Sequence, residues 1–251
     1  MKGRIFGLHA ARSVLEHGPE RVIRAWLDNQ RADQKIMNLR NQLATLNIPT
    51  QEVERKHLNL LAGSFRHQGI VLEVRLPEVR DERDLEARLT DGEKLWFLVL
   101  DQVQDPHNLG ACLRTCDAVG INGVIVPKDR SCGLTPVVCK TASGAAETVP
   151  LYRVTNLART LGQLKEAGFW IVGAESRGEK LVFEADLTGP LVLVLGGEGQ
   201  GLRRLTRESC DFLVRLPMRG AVASLNLSVA AGVLLYESLR QRDYNPSGGR
   251  R

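Results

Sequence analysis

LVLVLGGEGQGLRRLTRESCDFLVRLPMRGAVASLNLSVAAGVLLYE, residues 191–237, decides how the rest of this 251-residue chain is read. Leu191–Leu195 is a continuous apolar run, the pattern of a strand buried on both faces of a parallel sheet. It runs straight into four glycines within six residues, Gly196, Gly197, Gly199 and Gly201, gathered around one acid, Glu198. A second strand then leads into a turn of small residues and Ser224-Leu225-Asn226. Two loops stripped of bulk at two strand exits predict main chain lying against a ligand, because a missing Cβ lets backbone approach closely. The spacing is neither of two common nucleotide loops. GxGxxG fails in every register, and no Gly-Lys-Ser/Thr follows for a phosphate loop.

Working upstream, the same strand–loop–helix alternation begins at Leu95. Leu95–Leu100, Gly123–Val126 and Phe169–Val172 are further apolar runs, with helical spacing at Leu109–Val119, Leu157–Glu166 and Leu202–Glu208. Leu225–Arg240 is apolar nearly all round, so it needs cover on most sides from the core or from a second subunit. The expected class is α/β with a mainly parallel sheet. Residues 1–75 form a separate small α/β unit: helix Gly7–Glu16, strand Val22–Leu27, helix Ala32–Leu46 and strand Ile70–Val74. Residues 76–93 are acidic and read as a linker that holds a short charged helix, Asp81–Leu89. The tail 244–251 reads as disordered, and 94–243 as one domain.

A second block with chemistry follows the strand at 95–100: Asp101-Gln-Val-Gln-Asp105-Pro106-His107-Asn108-Leu-Gly110-Ala-Cys-Leu-Arg114. Asn108 is a candidate helix N-cap. On a helix, Leu109, Cys112, Leu113 and Cys116 share one stripe, and Arg114 lies opposite among small residues, within reach of something large or simply solvated. Asp101 and Asp105 suit loop or cap roles equally well. Ser224 and Asn226 could each cap the last helix, and Arg203 and Arg204 either meet phosphate or face water.

The three blocks in order resemble the SpoU (TrmH-like) branch of the SPOUT methyltransferases. The first motif is Asn108 with Arg114, the second LGGEGQGL at 195–202, and the third LPMRGAVASLNLSVA at 216–230. IFGLHAARSVLE and HQGIVLEV in the first unit are similar to the small substrate-binding domain of ribosomal RNA 2′-O-methyltransferases. GVIVPKDRS and VPLYRVTNLARTL are most similar to members that methylate a guanosine ribose in large-subunit (23S) ribosomal RNA. The resemblance implies a SPOUT fold with a C-terminal trefoil knot, a homodimer, and transfer of a methyl group from S-adenosylmethionine to a ribose 2′-hydroxyl. The family's alternative substrate is transfer RNA. It further implies that Gly196, Gly197, Leu216, Met218, Ser224 and Leu225 hold the cofactor, while Arg114, Asn108, Glu198 and Asn226 are catalytic. The sequence departs from the family at Leu227, where valine is commoner, and at Gly197, where alanine is. Cys132–Ser143 carries no assigned role.

Composition agrees with this class. The net charge of +5 is shared by both candidate domains, with twelve Lys/Arg against seven Asp/Glu in 1–75 and nineteen against fifteen after 93, which permits a polyanionic partner. No apolar run approaches the ~20 residues of a membrane span, and the first residues lack a signal peptide's continuous apolar core, so a cytoplasmic protein without a membrane partner is expected. Five cysteines without CxxC spacing argue against a disulfide framework or a zinc ribbon. Cys112 and Cys116, four apart, read as buried thiols rather than metal ligands, and no metal is expected. A nicotinamide-dependent enzyme is disfavoured by the missing fingerprint. A non-catalytic RNA-binding protein is disfavoured by the intact Asn108, Arg114, Glu198 and Asn226.

Overall fold

The computed structural model describes residues 2–89, 95–197, 199 and 201–244. In chain order the elements are β1 (Lys2–Phe6), α1 (Leu8–His17), β2 (Val22–Asp28), α2 (Gln34–Thr45), β3 (Thr50–Val53), α3 (Arg55–Ala62) and β4 (Ile70–Arg75). Then follow α4 (Glu82–Leu89), β5 (Trp96–Asp101), α5 (Pro106–Val119), β6 (Gly123–Pro127), α6 (Pro136–Ala142), α7 (Ala145–Thr148), β7 (Leu151–Val154) and α8 (Leu157–Glu166). The chain continues through β8 (Trp170–Ala174), β9 (Lys180–Leu181), β10 (Leu191–Gly196), α9 (Arg204–Glu208), β11 (Phe212–Arg215) and α10 (Leu227–Asp243). They gather into two compact units: residues 1–78 with 134–148, and residues 79–133 with 149–251.

The first unit is a four-stranded sheet in the order β1-β4-β2-β3. β4 is antiparallel to both β1 and β2, and β3 adds to β2 in parallel. Ile36, Leu39 and Leu43 put one face of α2 into the core, as their spacing predicts. The α6–α7 pair belongs here by contact. α6 packs against β1 and α7 against α1. Lys140 on α6 lies 3.8 Å above the ring of Phe6, and Arg21 pairs with Glu147 on α7. A domain drawn continuously from 94 to 243 therefore includes a segment that packs with the other unit.

The second unit is a seven-stranded sheet in the order β7-β6-β5-β10-β8-β11-β9, and every pairing in it is parallel. β5, β6 and β10 are buried on both faces, which is why they read as uninterrupted apolar runs. Phe97, Tyr152 and Phe169 meet in the core, the first two edge-on with centroids 6.2 Å apart. Leu85 of α4 is buried in the same cluster, so the acidic stretch begins as a packed helix rather than a free connection. The expected remainder of that stretch (90–93), and the tail beyond Tyr244, lie outside the described residues. β10 lies between β5 and β8, two strands made earlier in the chain, and α10 returns to pack on α5. No described helix is long and apolar enough to cross a membrane.

Candidate active site

β5, β8, β10 and β11 are parallel, so their carboxyl ends open on one side of the sheet, where ligands of such sheets bind. Two cavities lie there. The first holds about 390 Å³ and is walled by three strand exits: Ala174, Glu175 and Ser176 at the end of β8, Leu195, Gly196, Gly197, Gly199 and Gly201 at the end of β10, and Val214, Leu216 and Met218 from β11. Ala223, Ser224, Leu225 and the first turns of α10 close it. Most of this wall is backbone or small side chain, a cradle suited to a flat ligand that takes main-chain hydrogen bonds.

The glycines keep that cradle tight. A Cβ on Gly196 would stand 2.0 Å from the carbonyl carbon of Gly201, so no side chain fits. Gly199 and Gly201 have φ of 78° and 66°, left-handed conformations that glycine adopts without strain. The loop closes on itself as Gly201 N donates to Gly197 O at 3.2 Å. It is fastened to β5 by an ion pair. Asp101, fully buried, accepts from Arg203 Nε at 2.7 Å and from Arg203 N at 3.2 Å. Arg203 is thereby committed to structure, while Arg204 forms an exposed pair with Glu208 at 2.8 Å on the surface of α9. Glu175, on the cavity wall, is held by Arg207 Nε at 2.9 Å.

The second cavity, about 420 Å³, is polar and lined by Gln102, Val103, Gln104, Asp105, Asn108 and Arg130. It shares Gly197 and Leu227 with the first, so the two spaces meet at that pair. Asn226, next to Leu227 in the chain, reaches Asn108 on the wall of the second cavity. Its Oδ1 accepts from Ser228 N at 2.9 Å and caps α10, while its Nδ2 donates to Asn108 Oδ1 at 3.1 Å across 118 residues of sequence. Asn108 is buried in the first turn of α5 rather than at its cap. Asp105 takes the cap by accepting from His107 N at 2.8 Å, because Pro106 at the first helical position starts the helix three residues early.

Residues 96–236 match the SpoU rRNA Methylase family, and residues 4–80 match the RNA 2'-O ribose methyltransferase substrate binding family. The chain belongs to the SpoU rRNA methylase family. It is 51% identical over 238 residues to the 23S rRNA (guanosine-2'-O-)-methyltransferase RlmB of Shewanella oneidensis, covering 95% of this chain and 97% of that protein. RlmB of Pseudomonas putida is likewise 51% identical, over 241 residues and 96% of its length. The solved SpoU methyltransferase AviRb of Streptomyces viridochromogenes, in complex with AdoMet, superposes with a TM-score of 0.78 at 26% identity, over 96% of this chain and 90% of its own. The tRNA-modifying TrmH/SpoU enzyme of A. aeolicus is 34% identical with a TM-score of 0.54, over 63% of this chain and 81% of that one.

The SpoU motif residues expected to bind the cofactor, Gly196, Gly197, Leu216, Met218, Ser224 and Leu225, all line the first cavity. Of the expected catalytic set, Asn108 and Asn226 are hydrogen-bonded to each other, and Asn108 lines the second cavity. Arg114 is not with them. It is exposed on α5 and lines neither cavity, and its side chain makes no hydrogen bond or ion pair among the described residues. Glu198 lies outside the described residues. Sequence reasoning missed Ala174–Ser176, although a parallel strand ending at a glutamate was signal enough. It also missed the Asp101–Arg203 clasp, which no spacing reveals. An alanine at 197 would put its Cβ 3.0 Å from the carbonyl oxygen of Gln102. Cys112 and Cys116 are buried. Burial pushes the first up to about 12 and raises the second, so both stay thiols.

Proposed function

We propose that this protein transfers a methyl group from S-adenosylmethionine to the ribose 2′-hydroxyl of a guanosine in 23S ribosomal RNA. One observation carries the reading: a glycine-walled cavity and a polar cavity share an edge at the SpoU motif residues. The first suits the donor, the second the acceptor nucleotide. Bound in the first, S-adenosylmethionine supplies a methyl group already activated by its sulfonium, so what remains is alignment and control of a proton. Backbone of Gly196, Gly197, Leu216 and Met218, with Ser224 and Leu225, holds the donor. The β10 insertion between β5 and β8, with α10 returning on α5, supports the trefoil path expected of the family.

Arg114 holds the phosphate beside the acceptor ribose and stabilises charge growing on its 2′-oxygen. A guanidinium is essentially always protonated, so it is no general base. Asn108 and Asn226 orient the acceptor at the junction, and Glu198 belongs to the same orienting set. Because Arg114 is exposed and lines neither cavity of its own subunit, we place it in the site of a second copy. The outward stripe of α10 supports a homodimer: Val229 and Tyr236 are each about half exposed and lie on one helical face with Val233. Ribosomal RNA is preferred over transfer RNA because the relatives matched from end to end are named for the former, while the tRNA enzyme matches only part of the chain. A cytoplasmic location follows from that substrate.

The test is methyl transfer to 23S ribosomal RNA with mapping of the modified nucleotide, for which the wild-type protein labels guanosine ribose. R114A retains its affinity for S-adenosylmethionine by calorimetry but transfers roughly a hundredfold more slowly. Mixing inactive R114A with inactive Gly196→Val restores about a quarter of wild-type activity if one subunit's arginine serves its partner's cavity. No recovery on mixing places Arg114 within its own subunit, and unchanged turnover in R114A removes its role.

A further inference from the structure

The polar cavity carries more information than a place for a nucleotide. Among the described residues of the second unit, two non-glycine residues have left-handed backbone, Gln102 with φ 74° and Arg130 with φ 59°. Both lie on the wall of this cavity. Strained backbone collects where side-chain placement matters to function. The polar side chains gathered there are also mismatched for one another. Asp105 and Arg130 line the same space, yet they form no ion pair together, and Arg130 has no hydrogen bond or ion pair with any described residue. One oxygen of Asp105 accepts from His107 N and so fixes the carboxylate. Its other oxygen has no partner among the described residues.

An acid in the wall disfavours a phosphate as occupant. An acid and a guanidinium held apart in one cavity instead fit a neutral ring with donors on one edge and acceptors on another. Among the four bases, guanine alone presents two adjacent donors, N1–H and the N2 amine, to a carboxylate fork. Its opposite edge, O6 and N7, is the pairing an arginine makes best. Adenine, cytosine and uracil each place an acceptor where the second donor is needed, or lack it.

Resting on the proposed methyltransferase reading, we propose that Asp105 is the residue that selects guanine, by accepting from N1–H and N2–H, with Arg130 on the O6/N7 edge. Asp105 is then a specificity residue that touches the base, while its helix cap keeps the carboxylate aimed.

The experiment uses the full-length protein and ribosomal RNA fragments that differ at one nucleotide, the mapped target, made with guanosine, inosine or adenosine. Inosine keeps N1–H, O6 and N7 but lacks the N2 amine. Wild type should lose at least roughly tenfold in kcat/KM on inosine and more on adenosine, whose N1 lone pair faces the carboxylate. D105N keeps a capping oxygen but turns its free atom into a donor, which adenine N1 accepts and guanine N1–H opposes. Its preference for guanosine over adenosine should shrink by about a hundredfold or invert, with affinity for S-adenosylmethionine unchanged. Equal wild-type rates on guanosine and inosine overturn the proposal without touching the methyltransferase reading. So does a D105N protein that loses the same factor on all three RNAs. Absence of transfer to the guanosine RNA by wild type overturns the reading itself, and the base assignment with it.

Discussion

Single residues in this site do two jobs at once, and substitutions can separate them. Asn226 caps α10 through its oxygen and reaches Asn108 through its nitrogen. Serine caps as well as asparagine but is too short for the second contact. Asn226→Ser should therefore stay within a few tenths of a kcal/mol of wild-type stability in urea melts while methyl transfer falls sharply. A loss of stability comparable to the loss of activity would mean the cap is all that matters. Asp101 is a simpler case. It is buried, doubly bonded to Arg203, and ties the glycine loop to β5. Asp101→Asn leaves a partly exposed guanidinium without its counter-charge, so unfolding should come about 1–3 kcal/mol sooner. Calorimetric affinity for S-adenosylmethionine should fall as well, because the loop loses its anchor. The residue scale is also where the sequence was least transparent. Gly196 and Gly197 announced a cradle by their lack of bulk, but the Asp101–Arg203 pair spans 102 residues and leaves no local trace. Asn108 was misread as a cap because Asp105-Pro106, three residues earlier, is the stronger start signal.

At the scale of elements, legibility followed burial. β5, β6 and β10 are covered on both faces and stand out as apolar runs. β3 (TQEV) is an edge strand with three exposed positions, and β9 has two residues, so neither carries a period to detect. α6, capped by Thr135 and begun by Pro136, has seven residues, too short for an amphipathic stripe to register. The turn from α3 into β4 makes a pH-sensitive joint. His67 is fully buried, with Nε2 2.9 Å from Asn59 Oδ1 and Nδ1 accepting from Gly69 N at 3.1 Å. That arrangement requires a neutral ring, and burial, helped by Arg55, pulls its pKa below the ordinary value. The unfolded chain therefore binds the extra proton first as pH drops. Stability contributed above about pH 6.5 should be lost as pH falls from there toward the folded pKa, and then level off. Denaturant midpoints measured from pH 8 to 5 should show that slope, and His67→Gln should flatten it. An unaltered slope in the variant would place the titration elsewhere.

Over the whole molecule, two folded units share one chain that crosses between them three times. Hydrophobic spacing ends the first unit at residue 75, whereas its contacts run to Glu78 and take in 134–148, a return that local spacing has no means to show. Val138 and Ala142 show why that segment travels: they are buried, and α6 packs on β1. A protein beginning at residue 79 should therefore expose those side chains, melt at lower temperature than the intact chain and aggregate on heating, before any effect on RNA is considered. A truncation that melts like the full chain would show that α6 and α7 find other cover.

The same discontinuity sets a schedule for synthesis. A growing polypeptide emerges at roughly 5–20 residues per second, and nearby segments usually settle as they appear. Here the first sheet is made within 75 residues, but its last two helices arrive only at Thr148, after β5, α5 and β6 have already been extruded. For several seconds the amino-terminal sheet must wait with an unfinished flank, and a nascent chain arrested before residue 134 should be the form most readily captured by a chaperone.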